Sequence, residues 1–185
     1  MSWYAGVDYS MSCPAITVGP SDDFDKCHTF FYLNKKKFEG KHYHQIYGIM
    51  PFPYEHEMER FNNISQWAMS VIKRFNVTEV CLEGYAMGAK GRIFNIAENT
   101  ALLKYHLWES NIRYHTPSPN SVKKFYTGKG NSGKSLMHNA FVQRTGVDLT
   151  QLFDQDADSN PVSDIVDSHA MLVYGFHNHF NEGKS

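Results

Sequence analysis

Four acidic side chains occupy positions from which a folded chain can bring them together. Asp8 and Glu83 each follow a short apolar segment that predicts a β-strand. Asp164 and Asp167 are three residues apart in a segment with helical periodicity, so they lie on one face of that helix. In an open α/β sheet, the ends of neighbouring strands meet at the edge where sites form. We therefore predict that these four carboxylates lie close together.

The chemistry that such a cluster supports is metal-assisted hydrolysis. Carboxylates at the border of a core cannot all stay ionised without a cation, and oxygen ligands of this kind suit Mg²⁺ or Mn²⁺. Two such ions, about 3.5–4 Å apart, promote in-line attack of water on a phosphodiester. Taken singly, each residue is better explained as a turn residue, a strand-end charge or a helix N-terminal charge. The combination of all four with the order of the elements favours the metal site.

Composition limits the class of protein. The chain has 185 residues, 42% of them hydrophobic, and 18 basic against 19 acidic residues give a net charge of −1. These values predict one folded domain and exclude a disordered chain or a histone-like polycation. No apolar run is long enough to span a bilayer, and Asp8 comes too early for a signal peptide. The three cysteines are scattered, which argues against a disulfide framework or a cysteine zinc site and favours a reducing, cytoplasmic setting in a bacterium or in the host cell of a virus.

The elements that must position the acidic residues follow from hydrophobic spacing. Strands are predicted at 3–7, 15–18, 29–33, 43–50, 77–82 and 112–116. Helices are predicted at 54–75, about 91–108, 121–125, 134–144 and 161–176. The charged stretch 35–41 is a predicted loop, and 148–161 is a predicted polar connection. This order indicates an α/β domain built on one sheet, which we expect to span 1–177 before a flexible tail at 178–185.

Three segments carry a resemblance to a known family. Residues 5–10 (AGVDYS) look like the first-strand motif of RuvC-type Holliday junction resolvases, which are nucleases of the RNase H-like superfamily. Residues 80–85 (VCLEGY) resemble the apolar strand of these enzymes that ends in glutamate, and 164–170 (DIVDSHA) resemble their final D-x-x-D-A/S-x-A helix. The resemblance extends from Trp3 to about Phe176, and the order and spacing of the acidic positions agree with the family.

The resemblance implies an RNase H-like fold, with a five-stranded mixed sheet flanked by helices, and a homodimer that resolves four-way DNA junctions by paired nicks. It implies that two Mg²⁺ ions, or Mn²⁺ as a substitute, are bound by Asp8, Glu83, Asp164 and Asp167. It also implies that Lys123 and Lys134, which match two family lysines, serve DNA binding and catalysis. The region 20–53 departs from the family because it is longer and rich in aromatic residues and histidine. An endonuclease with broader activity on branched DNA, such as flaps and replication forks, is therefore an alternative.

A basic segment is the second candidate for contact with DNA. Residues 120–144 contain no acidic residue and five basic ones, which are Lys123, Lys124, Lys129, Lys134 and Arg144. A local positive charge in a chain of net charge −1 is typical of a phosphate-binding surface, although a solvated lysine-rich face remains the simpler alternative for any one of them. Tyr85 and Met87 follow Glu83, where the family inserts an apolar side chain into the junction centre. Core packing explains either residue equally well.

Residues 128–135 (GKGNSGKS) match the phosphate-binding pattern G-x-x-x-x-G-K-[ST]. That motif needs a buried strand directly before it, and 122–127 are too basic for one. The 50 residues that follow offer no apolar strand ending in aspartate to hold magnesium. A nucleotide hydrolase is therefore the less favoured alternative, and we expect no nucleotide cofactor and no membrane partner.

Overall fold

Seven strands form one mixed sheet in the computed structural model, which describes residues 2–84 and 93–180. The strands are β1 (Trp3–Asp8), β2 (Ala15–Gly19), β3 (His28–Tyr32), β4 (Gly40–Tyr43), β5 (Ile46–Ile49), β6 (Val77–Leu82) and β7 (Arg113–His115). Their spatial order is β4-β5-β3-β2-β1-β6-β7. The first three strands form an antiparallel meander, while β6 runs parallel to β1 and β5 runs parallel to β3. β1 lies inside the sheet, between β2 and β6, so Asp8 is at the end of an interior strand.

Helices cover both faces of the sheet. They are α1 (Glu57–Arg74), α2 (Ile93–Glu109), α3 (Pro119–Thr127), α4 (Lys134–Thr145), α5 (Leu149–Phe153) and α6 (Val162–Asn178). Because successive strand residues point to opposite faces, Tyr4 and Cys81 pack with α3–α6, whereas Ala5 and Leu82 pack with α1 and α2. None of the helices in the described ranges is both long and apolar enough to cross a membrane.

The fold class agrees with the mixed α/β prediction, but the sheet has seven strands, where hydrophobic spacing predicted six and the family resemblance implied five. The predicted strand at 43–50 contains β5 and the turn at His44 and Gln45, whereas β4 begins at Gly40, inside the stretch 35–41 that was predicted to be a loop. β4 was missed because its charged and half-exposed residues have no apolar periodicity. These two strands extend the sheet beyond β3.

Two further boundaries differ from the sequence predictions. The expected polar connection 148–161 contains α5, which begins where the Asp148 side chain accepts hydrogen bonds from the N–H groups of Thr150 and Gln151. The expected tail at 178–185 was wrong at its start, because Phe180 is buried and stacks on Tyr4 at a ring separation of 4.7 Å. Hydrophobic periodicity did not reveal α5 because aspartates surround it. It did not reveal the contact of Phe180 because the segment after α6 is too short to show a period.

Candidate active site

Asp8 and Glu83 lie side by side at the sheet edge. β1 and β6 are parallel and their register pairs Val7 with Leu82, so the next residue of each strand is acidic. The Glu83 N–H donates to the Val7 carbonyl oxygen at 3.1 Å, which continues the ladder to the strand end. The parallel pairing therefore brings together two residues that are 75 positions apart.

α6 brings the other two carboxylates to the same edge. The helix crosses β1 at Gly6, where a Cβ atom would lie 2.1 Å from the Leu172 nitrogen and 2.2 Å from the Ser168 oxygen. Only glycine permits this backbone approach. A buried hydrogen bond of 2.8 Å between the hydroxyls of Thr17 and Ser168 fixes the helix on the sheet. This packing of α6 on the sheet places the first two turns of the helix beside the end of β1.

Asp8, Glu83, Asp164 and Asp167 together form what we call the carboxylate edge. Their charges act on one another. Burial raises the pKa of Asp8 well above its ordinary value, and the charges of Glu83, Asp164 and Asp167 raise it further. Burial, followed by the charge of Asp167, raises the pKa of Glu83 to about 7. Burial also raises the pKa of Asp164 to about 7, against the opposing charge of Lys134. Burial, together with mutual repulsion, therefore means that the carboxylate edge binds protons or a cation near neutral pH.

Lys134 is the positive group that enters the carboxylate edge. It is the first residue of α4, and its ammonium donates a hydrogen bond to Oδ2 of Asp167. Burial lowers the pKa of Lys134, but the charges of Asp167, Asp8 and Asp164 outweigh that effect and the net shift is upward. Lys134 is therefore held as an ammonium ion among the four carboxylates.

The other basic residues predicted to contact DNA occupy three different settings. Lys123 lies on α3, near enough for its charge to lower the pKa of Glu83. Lys124 and Lys129 are exposed on α3 and on the turn that follows it. Arg144 lies ten residues beyond Lys134 on α4, about 15 Å away at the helical rise, and its guanidinium packs over the Tyr126 ring at 4.7 Å. The structure thus brings Lys123 and Lys134 to the carboxylates and leaves Arg144 apart from them.

Cys13 belongs to the site, although the sequence analysis considered the cysteines only for a disulfide framework or a zinc site and favoured neither. Its buried thiol donates to the Asp164 carboxylate, and this bond opposes the upward shift of the Asp164 pKa. Burial and the charge of Asp164 raise the pKa of the Cys13 thiol, so the group stays protonated as a donor. Its place in the turn five residues after Asp8 was the only signal in the sequence, because nothing local predicts the contact with α6.

The donor set has the chemistry of a site for a hard divalent cation, since it consists of buried and partly buried carboxylates whose charges repel one another. In the described ranges, however, no three His, Cys, Asp or Glu side chains form a group that is ready to hold a metal ion. The residues therefore fit Mg²⁺ or Mn²⁺ by type, burial and charge, whereas the side chains as positioned do not form a finished coordination shell.

The phosphate-binding pattern at 128–135 is not preceded by a strand. Helix α3 comes directly before it and ends at Gly128, which has φ +83° and closes the helix in a left-handed conformation. Lys134, the lysine of the pattern, contacts Asp167. The structural context that a nucleotide-binding loop needs is therefore missing here. Tyr85 and Met87, predicted to enter the junction centre, lie outside the described residues.

Comparison with known proteins places this geometry in a fold. No protein-family model and no curated protein sequence matches the chain. Among solved structures, Thermus thermophilus RuvC is similar with a TM-score of 0.64 and 14% identity, over 95% of this chain and 95% of that one. The protein has the fold of RuvC.

Two further structures agree with this RuvC fold. T. thermophilus RuvC in complex with Holliday junction substrate gives a TM-score of 0.66 at 16% identity, and covers 96% of this chain and 94% of that one. The yeast mitochondrial Holliday junction resolvase gives 0.57 at 14% identity, over 95% of this chain and 77% of that one. The RuvC-type resemblance noted in the sequence is thereby confirmed at the level of the fold.

Proposed function

We propose that this protein is a divalent-metal-dependent endonuclease that cuts branched DNA, with the four-way junction as its substrate. The observation that carries the proposal is the convergence of Asp8, Glu83, Asp164 and Asp167, two buried and two partly buried carboxylates whose charges repel one another, at one edge of a RuvC fold. One of the similar structures is a RuvC bound to Holliday junction substrate, and another is a Holliday junction resolvase.

The carboxylate edge is the proposed ligand set for two Mg²⁺ ions, or for Mn²⁺. When bound, the ions would supply positive charge that favours attack of water on a phosphodiester and departure of the 3′ oxygen. The paired ends of β1 and β6 fix Asp8 and Glu83. The close packing of α6 against Gly6 fixes Asp164 and Asp167. Rigid elements thus hold the proposed ligands in fixed positions relative to one another.

Lys134 and Lys123 are the proposed catalytic cations supplied by the protein. Lys134 orients Asp167 through its hydrogen bond, and its charge favours the ionised form of Asp8 and Asp164. Lys123 favours the ionised form of Glu83 in the same way. A positive group at this distance also stabilises the negative charge that develops on the phosphate in the transition state.

The exposed lysines beside the site are proposed to bind the DNA backbone. Lys124 and Lys129 project from the basic segment 120–144, which carries no acidic residue. Phosphates bound there would lie next to the carboxylate edge, because Lys134 belongs to both. Arg144 is a weaker candidate, since its guanidinium already packs on Tyr126.

A homodimer is part of the proposal, because two paired nicks need two active sites. α2 packs on α1 through Leu103 and Leu107, which are fully buried, and its other side is apolar and exposed. Phe94, Tyr105 and Trp108 are exposed on that side, Trp108 to 70%. A second copy of the chain is the partner that we propose for this face. Trp108→Glu should then convert the dimer to a monomer in sedimentation experiments.

The experiment that tests the function compares four DNA substrates, which are a four-way junction, a flap, a replication fork and plain duplex. Each is incubated with the protein in Mg²⁺ and in chelator. We expect paired symmetric nicks in the junction that require the metal, with little cleavage of duplex. Equal cleavage of flaps and forks would favour the broader branched-DNA endonuclease. No cleavage of any branched substrate would contradict the proposal.

A further inference from the structure

A cleft opens on the same sheet edge as the carboxylates but on the other side of β1. Its volume is about 580 Å³, within the roughly 300–1,000 Å³ typical of sites for small organic groups. Met11 and Ser12 of the β1–β2 turn form one wall, Asn34 follows β3, the segment 50–54 follows β5, and Arg60 and Asn63 come from α1. We call it the β5–α1 cleft.

The topology explains why the cleft adjoins the active site. β1 and β3 are both antiparallel to β2, and β5 is parallel to β3, so the carboxyl ends of all three strands meet at one edge. The wall formed by Met11 and Ser12 leads directly into Cys13, whose thiol contacts Asp164. The β1–β2 turn therefore separates the cleft from the carboxylate edge.

Side-chain hydrogen bonds to the backbone hold the walls in place. The Phe52 N–H donates to the Tyr32 hydroxyl at 2.8 Å, which fixes the segment 50–54 over β3. The Arg60 guanidinium donates to the Met11 carbonyl oxygen and so ties α1 to the β1–β2 turn. Pro51 and Pro53 stiffen the segment further because their φ angles are restricted. The cleft is thus preformed.

Aromatic rings at the rim are exposed. Phe52 is 66% exposed and Tyr54 is 47% exposed, and the Arg60 guanidinium lies over the Tyr54 ring at 5.6 Å. A ring paired with a guanidinium is a surface on which a nucleobase stacks. The amide of Asn63, on the wall, can donate to and accept from the edge of a base.

The charges around the cleft select a base over a phosphate. Lys35, Lys36 and Lys37 lie beyond Asn34 on the β3 side and attract the DNA backbone. On the α1 side, Glu55, Glu57 and Glu59 are negative and would repel a phosphate. Among the described residues that line the cleft none is acidic, and the positive charge of Arg60 is offset by Glu57 at 3.5 Å. A neutral planar group therefore suits the interior, while the phosphates on either side of it stay near the lysines.

We propose that the β5–α1 cleft takes an unpaired nucleobase from the DNA strand that passes the carboxylate edge. The assignment rests on the proposed function, because it needs the protein to bind DNA with unpaired or distorted bases. Such bases occur at the crossover of a junction and at the branch point of a flap or fork, and unstacking them costs least there. The cleft would thus favour branched substrates over duplex.

The test is a binding measurement in chelator, so that no strand is cut. Single abasic residues are moved along one strand of a four-way junction, and affinity is compared for the unmodified protein, Tyr54→Ala, Tyr54→Phe and Tyr114→Ala. Tyr114 is a matched control, because it is a tyrosine of similar exposure in β7, the outermost strand on the side of the sheet away from the cleft. Tyr54→Phe keeps the stacking ring.

Tyr54→Ala should weaken binding of intact junction about tenfold, because the stacking of one base on the ring is lost. Tyr54→Phe and Tyr114→Ala should bind as the unmodified protein does. When the abasic residue is at the position whose base enters the cleft, the unmodified protein should show the same loss of affinity. Tyr54→Ala should cause no further loss of affinity with that junction. The dependence of affinity on salt should stay unchanged, because a base contact releases no counterions.

An equal effect of Tyr54→Ala at every abasic position, or no effect at all, would overturn the assignment. A shallower salt dependence would overturn it as well, because it would identify a phosphate contact. The two proposals fail separately. Position-specific coupling without metal-dependent cleavage would support the nucleobase cleft and contradict the nuclease activity. Metal-dependent cleavage without coupling would support the nuclease activity and contradict the nucleobase cleft.

Discussion

The carboxylate edge and the basic segment 120–144 carry opposite charges and are held by the fold in opposite ways. Asp8 and Asp164 are only 7% and 6% exposed, and they are fixed by strand pairing and by the close approach of α6. Lys124 and Lys129 are exposed on a short helix and its following turn. Lys134 joins the two regions, because it begins α4 in the basic segment and contacts Asp167.

This difference separates the charges that can take part in catalysis from the charges that can only attract DNA. Water and dissolved salt screen an exposed charge, so its effect on DNA is short-ranged, independent of base sequence and sensitive to salt. A buried charge acts on its neighbours with little screening, so its protonation depends on them. Mutations in the two regions should therefore change different measured quantities.

The largest effect is expected at the carboxylate edge. Asp8→Asn keeps the shape of the side chain and removes one negative ligand, so cleavage of a junction should fall by about 10³-fold or more, as the metal ions supply several kcal/mol of stabilisation. Junction affinity in chelator should be retained, because the change removes negative charge. Single-turnover cleavage with all substrate bound measures the first quantity.

The same substitution at an exposed acid provides the control for Asp8→Asn. Asp154 is exposed at the end of α5 in a left-handed conformation that asparagine also tolerates, so Asp154→Asn should cleave at the unmodified rate. Glu83→Gln, Asp164→Asn and Asp167→Asn should resemble Asp8→Asn. If Asp167→Asn cleaved normally, that residue would not be a ligand.

The second effect separates the lysines by burial. Lys134→Ala and Lys123→Ala should slow the single-turnover rate at saturating protein by roughly 10- to 100-fold, because a positive charge near the phosphate stabilises its transition state. Lys124→Ala and Lys129→Ala should leave that rate unchanged. If all four variants kept the unmodified saturated rate, Lys123 and Lys134 would be ordinary phosphate contacts.

The third effect concerns pH and the stability of the metal-free protein. Glu83 and Asp164 have pKa values of about 7 when folded, against about 4 when unfolded. A raised folded pKa gives stability that is complete below the unfolded pKa and is lost as pH rises through the folded value. Thermal unfolding in chelator should therefore show a midpoint that falls from about pH 5 to pH 8.

A buried histidine must be separated from this trend. Burial lowers the pKa of His169 to about 3, so that residue adds stability as pH rises towards the unfolded value near 6.5. The readout is therefore the difference between Asp8→Asn, which should show a shallower fall, and the unmodified protein. Asp154→Asn should follow the unmodified curve. A midpoint that fell equally in Asp8→Asn would contradict the raised pKa of Asp8.

The smallest effect belongs to the exposed lysines. Each phosphate contact on a duplex arm contributes a slope of about −0.9 to log K against log[salt]. Lys124→Ala and Lys129→Ala should each make the slope shallower by about one unit and weaken all sequences alike. Lys26→Ala, at an exposed lysine paired with Asp23, serves as the control and should keep the slope. An unchanged slope in the first two variants would make them solvated surface residues.

The candidate ligands were predictable from the sequence because each lies directly at the end of an apolar segment or within a helical stripe. Those are local patterns, and they held for β1, β6 and α6. The predictions were incomplete where the pattern was mixed. β4 was hidden by charged residues, and α5 by the aspartates around it, although Phe153 of α5 is buried in the core.

The sequence by itself determined which residue types stand at the strand ends, and it placed lysines without acidic neighbours in the segment that precedes α4. Only the tertiary structure decided that Lys134 pairs with Asp167 and that Cys13 donates to Asp164. It also decided that a turn, two strand ends and α1 enclose the β5–α1 cleft. Such contacts join residues far apart in the chain. They depend on strand order and on where α6 crosses the sheet, and no local spacing encodes either.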